Sequence, residues 1–149
     1  MVLLREIKPE DGRLLDEFLS SLSPRTIRFF TYYPLPKDYG EKFSKRQDIV
    51  CYVADLNGKI VGYAWWEPTY ASQPTLAICV QDDYQGNGIG KRLLGRLINE
   101  AKLRGKKGLQ LTVSKDNVIA ISLYLRFGFK IVSEFEDSRG TNYLMELRF

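Results

Sequence analysis

The segment from Ile78 to Lys91 constrains this chain most. A β-branched run, Ile78 and Val80, feeds the turn Gln85-Gly86-Asn87-Gly88-Ile89-Gly90-Lys91. The turn opens directly into a helical pattern of Leu93, Leu94, Leu97, Ile98 and Ala101. Glycines let a backbone approach a ligand closely, and successive N–H groups at a helix start attract anions. Lys91 and Arg92 add formal positive charge, so a pyrophosphate is the natural guest.

Spacing narrows the kind of phosphate site. A P-loop needs four residues between its first glycine and Gly-Lys, then Ser or Thr. Here Gln85 stands five before Gly90, and Arg92 follows Lys91. A dinucleotide fingerprint needs Gly-x-Gly-x-x-Gly, but the glycines at 86, 88 and 90 bring the third one residue early. The pattern that fits is Gln-x-x-Gly-x-Gly, read as Gln85, Gly88 and Gly90. From the turn alone, a strand-to-helix connection without a ligand stays open.

Composition removes other chemistry. The chain has no histidine, which excludes Ser–His, Cys–His and His–metal mechanisms. Cys51 and Cys79 fall inside expected strands, too few for a disulfide scaffold and not spaced as metal ligands, so both read as buried free thiols. No metal site is expected. At 149 residues and 44% hydrophobic, residues 1–149 read as a single domain with a real core. The net charge of +4 suits a polyanionic cofactor, and the basic residues are scattered rather than gathered on one helix face. No apolar run reaches membrane-spanning length, and the opening Met-Val-Leu-Leu-Arg-Glu meets a charge too early for a signal peptide. A cytoplasmic protein is expected, acting as monomer or homodimer, with no nucleic-acid or membrane partner.

Periodicity orders the rest. Val2 to Ile7 reads as a strand, and Pro9-Glu10-Asp11 starts a helix whose apolar face is Leu14, Leu15, Phe18, Leu19 and Leu22. Ser23-Pro24 breaks it; Thr26 to Phe30 is a short helix, Tyr32 to Pro36 a loop and Asp38 to Arg46 a weak helix. Strands follow at Ile49 to Leu56 and Ile60 to Trp66 around Asn57-Gly58, a strong hairpin signal. After a loop from Glu67 to Pro74 comes a strand from Thr75 to Val80. A helix over Gly88 to Leu103, a strand over Leu109 to Val113 and a helix over Val118 to Arg126 come next. Strands at Phe129 to Phe135 and Tyr143 to Leu147 close the chain. The order β-α-α-β-β-β-α-β-α-β-β predicts an α/β (mixed α+β) fold. Its core is a mostly antiparallel, mixed seven-stranded sheet flanked by helices on both faces, with strands four and five parallel.

That order, the turn Gln85 to Lys91 and the block Asn117-Val-Ile-Ala-Ile-Ser-Leu-Tyr124-Leu-Arg-Phe-Gly128-Phe129 resemble the GCN5-related N-acetyltransferases. The likeness spans nearly the whole chain. Leu22-Ser-Pro-Arg-Thr-Ile-Arg-Phe-Phe30 also resembles a segment of bacterial and archaeal protein-lysine acetyltransferases. The resemblance implies acetyl-coenzyme A as co-substrate and an amine acceptor: a protein lysine, an N-terminal amine or a small amine. It implies that the fourth strand splays from the fifth, often at a bulge, and that the pantetheine arm pairs with Ile78, Cys79 and Val80. Backbone N–H groups from Gln85 through Gly86, Asn87, Gly88, Ile89 and Gly90 to Lys91 would hold the pyrophosphate. Asn117 and Tyr124 would lie along the pantetheine and its sulfur.

Attack of an amine on a thioester has three needs. A lysine amine, with a pKa of about 10.4 in solution, must lose its proton. The oxyanion needs a donor, for which a backbone N–H near Cys79 or Val80 is the candidate. The leaving thiolate needs a proton, and the phenol of Tyr124, at about 10 against about 8.5 for a thiol, can give one. On helical spacing alone Tyr124 also reads as core beside Ile121 and Leu125. Many relatives carry a carboxylate base early in the fourth strand, where this chain has Thr75. Glu67 is the expected base, with a water relay as the alternative. Asp82 and Asp83 read as solvated or loop-capping. Trp65, Trp66 and Tyr70 are candidates to wall the acceptor pocket, although alternation puts one tryptophan on each face. Thr75 also keeps open a non-catalytic acyl-coenzyme-A sensor, and the basic charge a nucleic-acid-binding module.

Overall fold

The computed structural model of the protein describes residues 1–30 and 35–149. The loop expected from Tyr32 to Pro36 lies outside the described residues as far as Pro34. Seven strands form one sheet in the order β1-β2-β3-β4-β5-β7-β6. β1 (Val2–Glu6), β2 (Val50–Leu56), β3 (Lys59–Glu67) and β4 (Thr75–Val80) pair antiparallel in succession. β5 (Gly108–Ser114) lies parallel to β4, and β7 (Gly140–Arg148) is antiparallel to both β5 and the edge strand β6 (Lys130–Asp137). At the β2–β3 turn Asn57 and Gly58 have φ of 53° and 86°, the left-handed pair that matches strand twist in a two-residue hairpin.

Helices cover both faces. α1 (Gly12–Ser20), α2 (Pro24–Phe30) and α3 (Tyr39–Phe43) share one face; α4 (Ile89–Leu103) and α5 (Val118–Arg126) share the other. The weak helix expected over Asp38 to Arg46 is confined to α3. A 3-10 turn, Pro9–Asp11, precedes α1 because the Asp11 carboxylate accepts from Lys8 N at 2.7 Å and from both Arg5 Nη atoms at 2.8 and 2.9 Å.

Alternation along β3 divides its side chains between two cores. Tyr63 and Trp65 join Leu15, Phe18 and Phe43 under α1 and α3, where the Trp65 ring lies 4.8 Å from Tyr63 and 5.0 Å from Phe43. Trp66 joins Leu93, Leu94 and Leu97 under α4, and its Nε1 donates to Leu97 O at 3.1 Å. Both tryptophans are therefore core residues rather than pocket walls, and Tyr70 stands in solvent, 85% exposed. Gly62 lets the start of α4 settle on β3, since a Cβ there would meet Ile89 Cγ2 at 3.3 Å.

One seam of the sheet is open. β4 and β5 share a single residue pair, Thr75↔Gln110, supported by Gln110 N to Pro74 O and Lys107 N to Ser72 O. From there to Val80 and Ser114 the strands run apart. The β3–β4 ladder is unshifted from Glu67↔Thr75 to Gly62↔Val80, so the divergence needs no bulge in β4.

Candidate functional site

Backbone parity decides what faces that opening. Gln81 N donates to Val61 O on β3, whereas Pro74 O accepts from β5. The backbone groups of Ile78 and Val80 therefore face the gap, and those of Cys79 face β3. Cys79 contributes only a buried side chain, packed under α1 and α3 with Tyr63. Burial, with Asp82 acting in the same direction, pushes its thiol up to about 12, so it stays protonated and is no nucleophile. Cys51, the other free thiol, is buried and also pushed up by desolvation.

Above the gap lies the glycine turn. Gln85, Gly86, Asn87 and Gly88 are exposed, and Ile89 is buried, pinning the first turn of α4 to the core. Gly86 and Gly88 have φ of 83° and 80°, and a Cβ at either would meet nothing within 4 Å. Gly88 is the N-cap of α4 and supplies no capping side chain. Among the described residues, no acceptor bonds the N–H groups of Gly86, Asn87, Gly88, Ile89, Gly90 or Lys91; helical bonding begins with Arg92 N to Gly88 O. Gln85 is tied back to its surroundings: its N–H, expected to meet the pyrophosphate, donates to Asp82 O at 3.2 Å, and its Nε2 donates to Val80 O at 3.0 Å and reaches Thr26 Oγ1 at 3.4 Å. A groove of about 880 Å³ adjoins the turn, lined in part by Asn87, Gly88, Lys91, Arg92 and Arg96.

Tyr124 is 7% exposed and lies 5.7 Å from the Phe129 ring. Burial raises its phenol above the ordinary value, and Cys79 nearby adds to the shift. Its hydroxyl has no hydrogen-bond partner among the described residues, so the phenol is a protonated, uncommitted donor. Asn117 is the N-cap of α5, accepting from Ala120 N at 3.4 Å.

Glu67 lies elsewhere. It pairs with Thr75 at the closed end of the seam, about 16 Å of strand from Val80 at roughly 3.3 Å per residue. Its carboxylate accepts from Trp65 Nε1 at 2.6 Å and from Arg46 Nη1 and Nη2 at 3.1 and 3.2 Å. Asp82 does more than cap a loop. It accepts from Ser23 N at 2.9 Å, Ser23 Oγ at 2.6 Å and Thr26 Oγ1 at 2.9 Å, fastening α2 to the exit of β4. The Ser23 hydroxyl first, then Ser23 N and Thr26, hold this carboxyl below its ordinary pKa. Nothing local in the sequence marks that contact.

The sequence profile of the acetyltransferase (GNAT) family matches residues 15–129, and the chain belongs to that family. It is 30% identical over 138 residues to an uncharacterized N-acetyltransferase of Methanocaldococcus jannaschii, a match covering 85% of this chain and 60% of that protein. Over 73 residues it is 38% identical to the ribosomal protein bS18-alanine N-acetyltransferase of Escherichia coli, covering 49% of each chain. The matches thus span between about half and 60% of these relatives' length. In fold it superposes on yncA of Salmonella typhimurium, solved with its cofactor acetyl-CoA, with a TM-score of 0.83 at 20% identity, over 99% of this chain and 94% of that one. Among the described residues no group of three or more His, Cys, Asp or Glu could hold a metal ion, and no helix is long and apolar enough to cross a membrane.

Proposed function

We propose that the chain transfers the acetyl group of acetyl-CoA directly to a primary amine. One observation carries this reading: the unbonded N–H groups from Gly86 to Lys91 stand at the mouth of a sheet opening edged by the backbone of Ile78 and Val80. A pyrophosphate satisfies the first set and an amide-bearing pantetheine arm the second, as an added strand would. Lys91, Arg92 and Arg96 beside the turn suit the remaining phosphate of the cofactor.

The amine lone pair attacks the thioester carbonyl carbon, and the carbonyl electrons move onto oxygen. A backbone N–H of β4 turned into the gap, that of Ile78 or Val80, donates to that oxyanion; one such donor lowers the barrier by about 3 kcal/mol. Collapse breaks the C–S bond, and the thiolate takes the phenol proton of Tyr124. The amine releases its proton as the amide forms, and a proton returns to Tyr124. The products are an acetamide and free coenzyme A.

Arg46 and Trp65 already occupy the Glu67 oxygens. We therefore assign the amine's proton to a water relay along the open seam and give Glu67 a structural role. Acceptors in reach of this chemistry are a protein lysine, an N-terminal amine, as the name of the bS18-alanine relative indicates for that protein, or a small amine.

The test follows free coenzyme A with a thiol reagent while candidate amines are offered. Release that depends on the amine supports transfer. A protein whose melting temperature rises with acetyl-CoA, yet which releases no thiol with any amine, is a sensor instead.

A further inference from the structure

A second cavity, of about 440 Å³, opens across the sheet from the glycine turn. Its walls include Arg25 and Arg28 of α2, Ser114 at the open end of β5, Asp116 just beyond it, and Arg139 in the β6–β7 turn. Leu109, Leu111 and Val113 pack under α4, so alternation turns Ser114 to the opposite face. α2 bridges the opening: Asp82 holds it at the exit of β4, and Arg139 Nη1 donates to Arg28 O at 3.2 Å on the far side. A thioester threaded through the seam from the α4 side meets its second substrate here, because α4 and α5 cover the other face.

The charges in this cavity are unevenly committed. Arg139 lies 3.6 Å from Asp137 and braces α2 through the Arg28 carbonyl. Arg25 and Arg28 stand one helical turn apart and form no ion pair among the described residues; Arg25 lies over the Phe29 ring at 5.7 Å. Asp116 contributes one carboxylate, also outside any ion pair among the described residues. Two guanidiniums outside any ion pair among the described residues and one carboxylate, lining the same cavity, complement a molecule with an anion at one end and an ammonium at the other.

We propose that this cavity receives a small amine that also carries a carboxylate or phosphate, with Arg25 and Arg28 binding the anion and Asp116 the incoming ammonium. The assignment rests on the acetyltransferase reading and narrows its acceptor class. The transfer is the one described above: N–C forms, C–S breaks, and the thiolate leaves as the thiol of coenzyme A.

Matched acceptor pairs test it: an amino acid against its carboxamide, and phosphoethanolamine against ethanolamine. A third pair sets a short peptide with an acidic second residue against its amide counterpart. The anionic member of the small pairs should be favoured about 30-fold in kcat/KM, the order expected for a charge-assisted hydrogen-bonded pair. The double variant Arg25→Gln/Arg28→Gln should bring the ratio near one without changing acetyl-CoA affinity by titration calorimetry. Both side chains are exposed, so the fold is not at risk. Arg25→Lys/Arg28→Lys should restore part of the preference. Equal use of both members, a preference that survives the double variant, or a preference confined to the peptide pair overturns the proposal. If no amine is acetylated, the enzymatic reading falls. Titrating each pair into the acetyl-CoA-loaded protein then decides the cavity: anion-dependent binding lost in the double variant supports it, and equal or absent binding refutes it.

Discussion

The two mouths of the β4–β5 seam are built from different material. The side we assign to the cofactor is one unbroken stretch, Gly86 to Lys91, and what it offers is backbone N–H. The opposite side draws Arg25, Ser114, Asp116 and Arg139 from three distant parts of the chain, and what it offers is side-chain charge. A backbone site is fixed by dihedral angles, so it tolerates changes of side chain and fails when the chain path changes. A side-chain site is the reverse: its scaffold survives substitution while its selectivity moves.

The sharpest challenge to that contrast is a pair of neighbouring substitutions. Gly88→Pro removes an N–H and forces φ from 80° to about −65°; acetyl-CoA affinity, read by calorimetry, should fall more than about 100-fold. Asn87→Ala keeps its N–H and should leave affinity within about threefold, because the charge of the pyrophosphate meets backbone there. Equal damage from both would break the contrast. Tyr124→Phe should lower kcat by about 100-fold while acetyl-CoA affinity holds, as loss of a general acid predicts. Unchanged turnover would return Tyr124 to the core.

Smaller effects should come from the flanks. Glu67→Gln loosens the Arg46 pair at the closed end of the seam and should cost about 1 kcal/mol of stability with kcat within about fivefold. A collapse of kcat at unchanged melting temperature would reinstate Glu67 as base. The least effect concerns Asp82, whose folded-state pKa lies below its ordinary 3.8. Its contribution is complete above the ordinary value and is lost as pH falls through the folded one. Amide exchange in α2 should therefore quicken below about pH 4, and Asp82→Asn should remove that dependence.

Much of this architecture was legible from residue order. Thr75–Val80 and Val118–Arg126 have the boundaries that apolar runs and polar flanks predict, because those signals are local. The course of the chain from Gln85 to Lys91 was legible for the same reason: its positive-φ glycines and the start of α4 are neighbours in sequence. The opening between β4 and β5 is not local. Nothing in Thr75 to Val80 says which end of the strand loses its partner, and Glu67 was accordingly expected in a cleft that opens at the other end. Asp82 finds Ser23 across 59 residues, and Arg28 meets Arg139 across 111, distances at which periodicity carries no information. The basic pair at Arg25 and Arg28 was visible in the sequence; its want of ion-pair partners among the described residues was not.

Asp82 sits two residues beyond Val80 and three before Gln85, yet its carboxylate is the seat of α2. Gln85 reinforces the tie by touching both Val80 and Thr26. Under the proposed reading, donor and acceptor would share a hinge pin, and any settling of the turn around its first guest would be passed to the roof over the second. Thermodynamic cycles make such traffic two-way: whatever factor the donor lends to the acceptor's affinity, the acceptor returns.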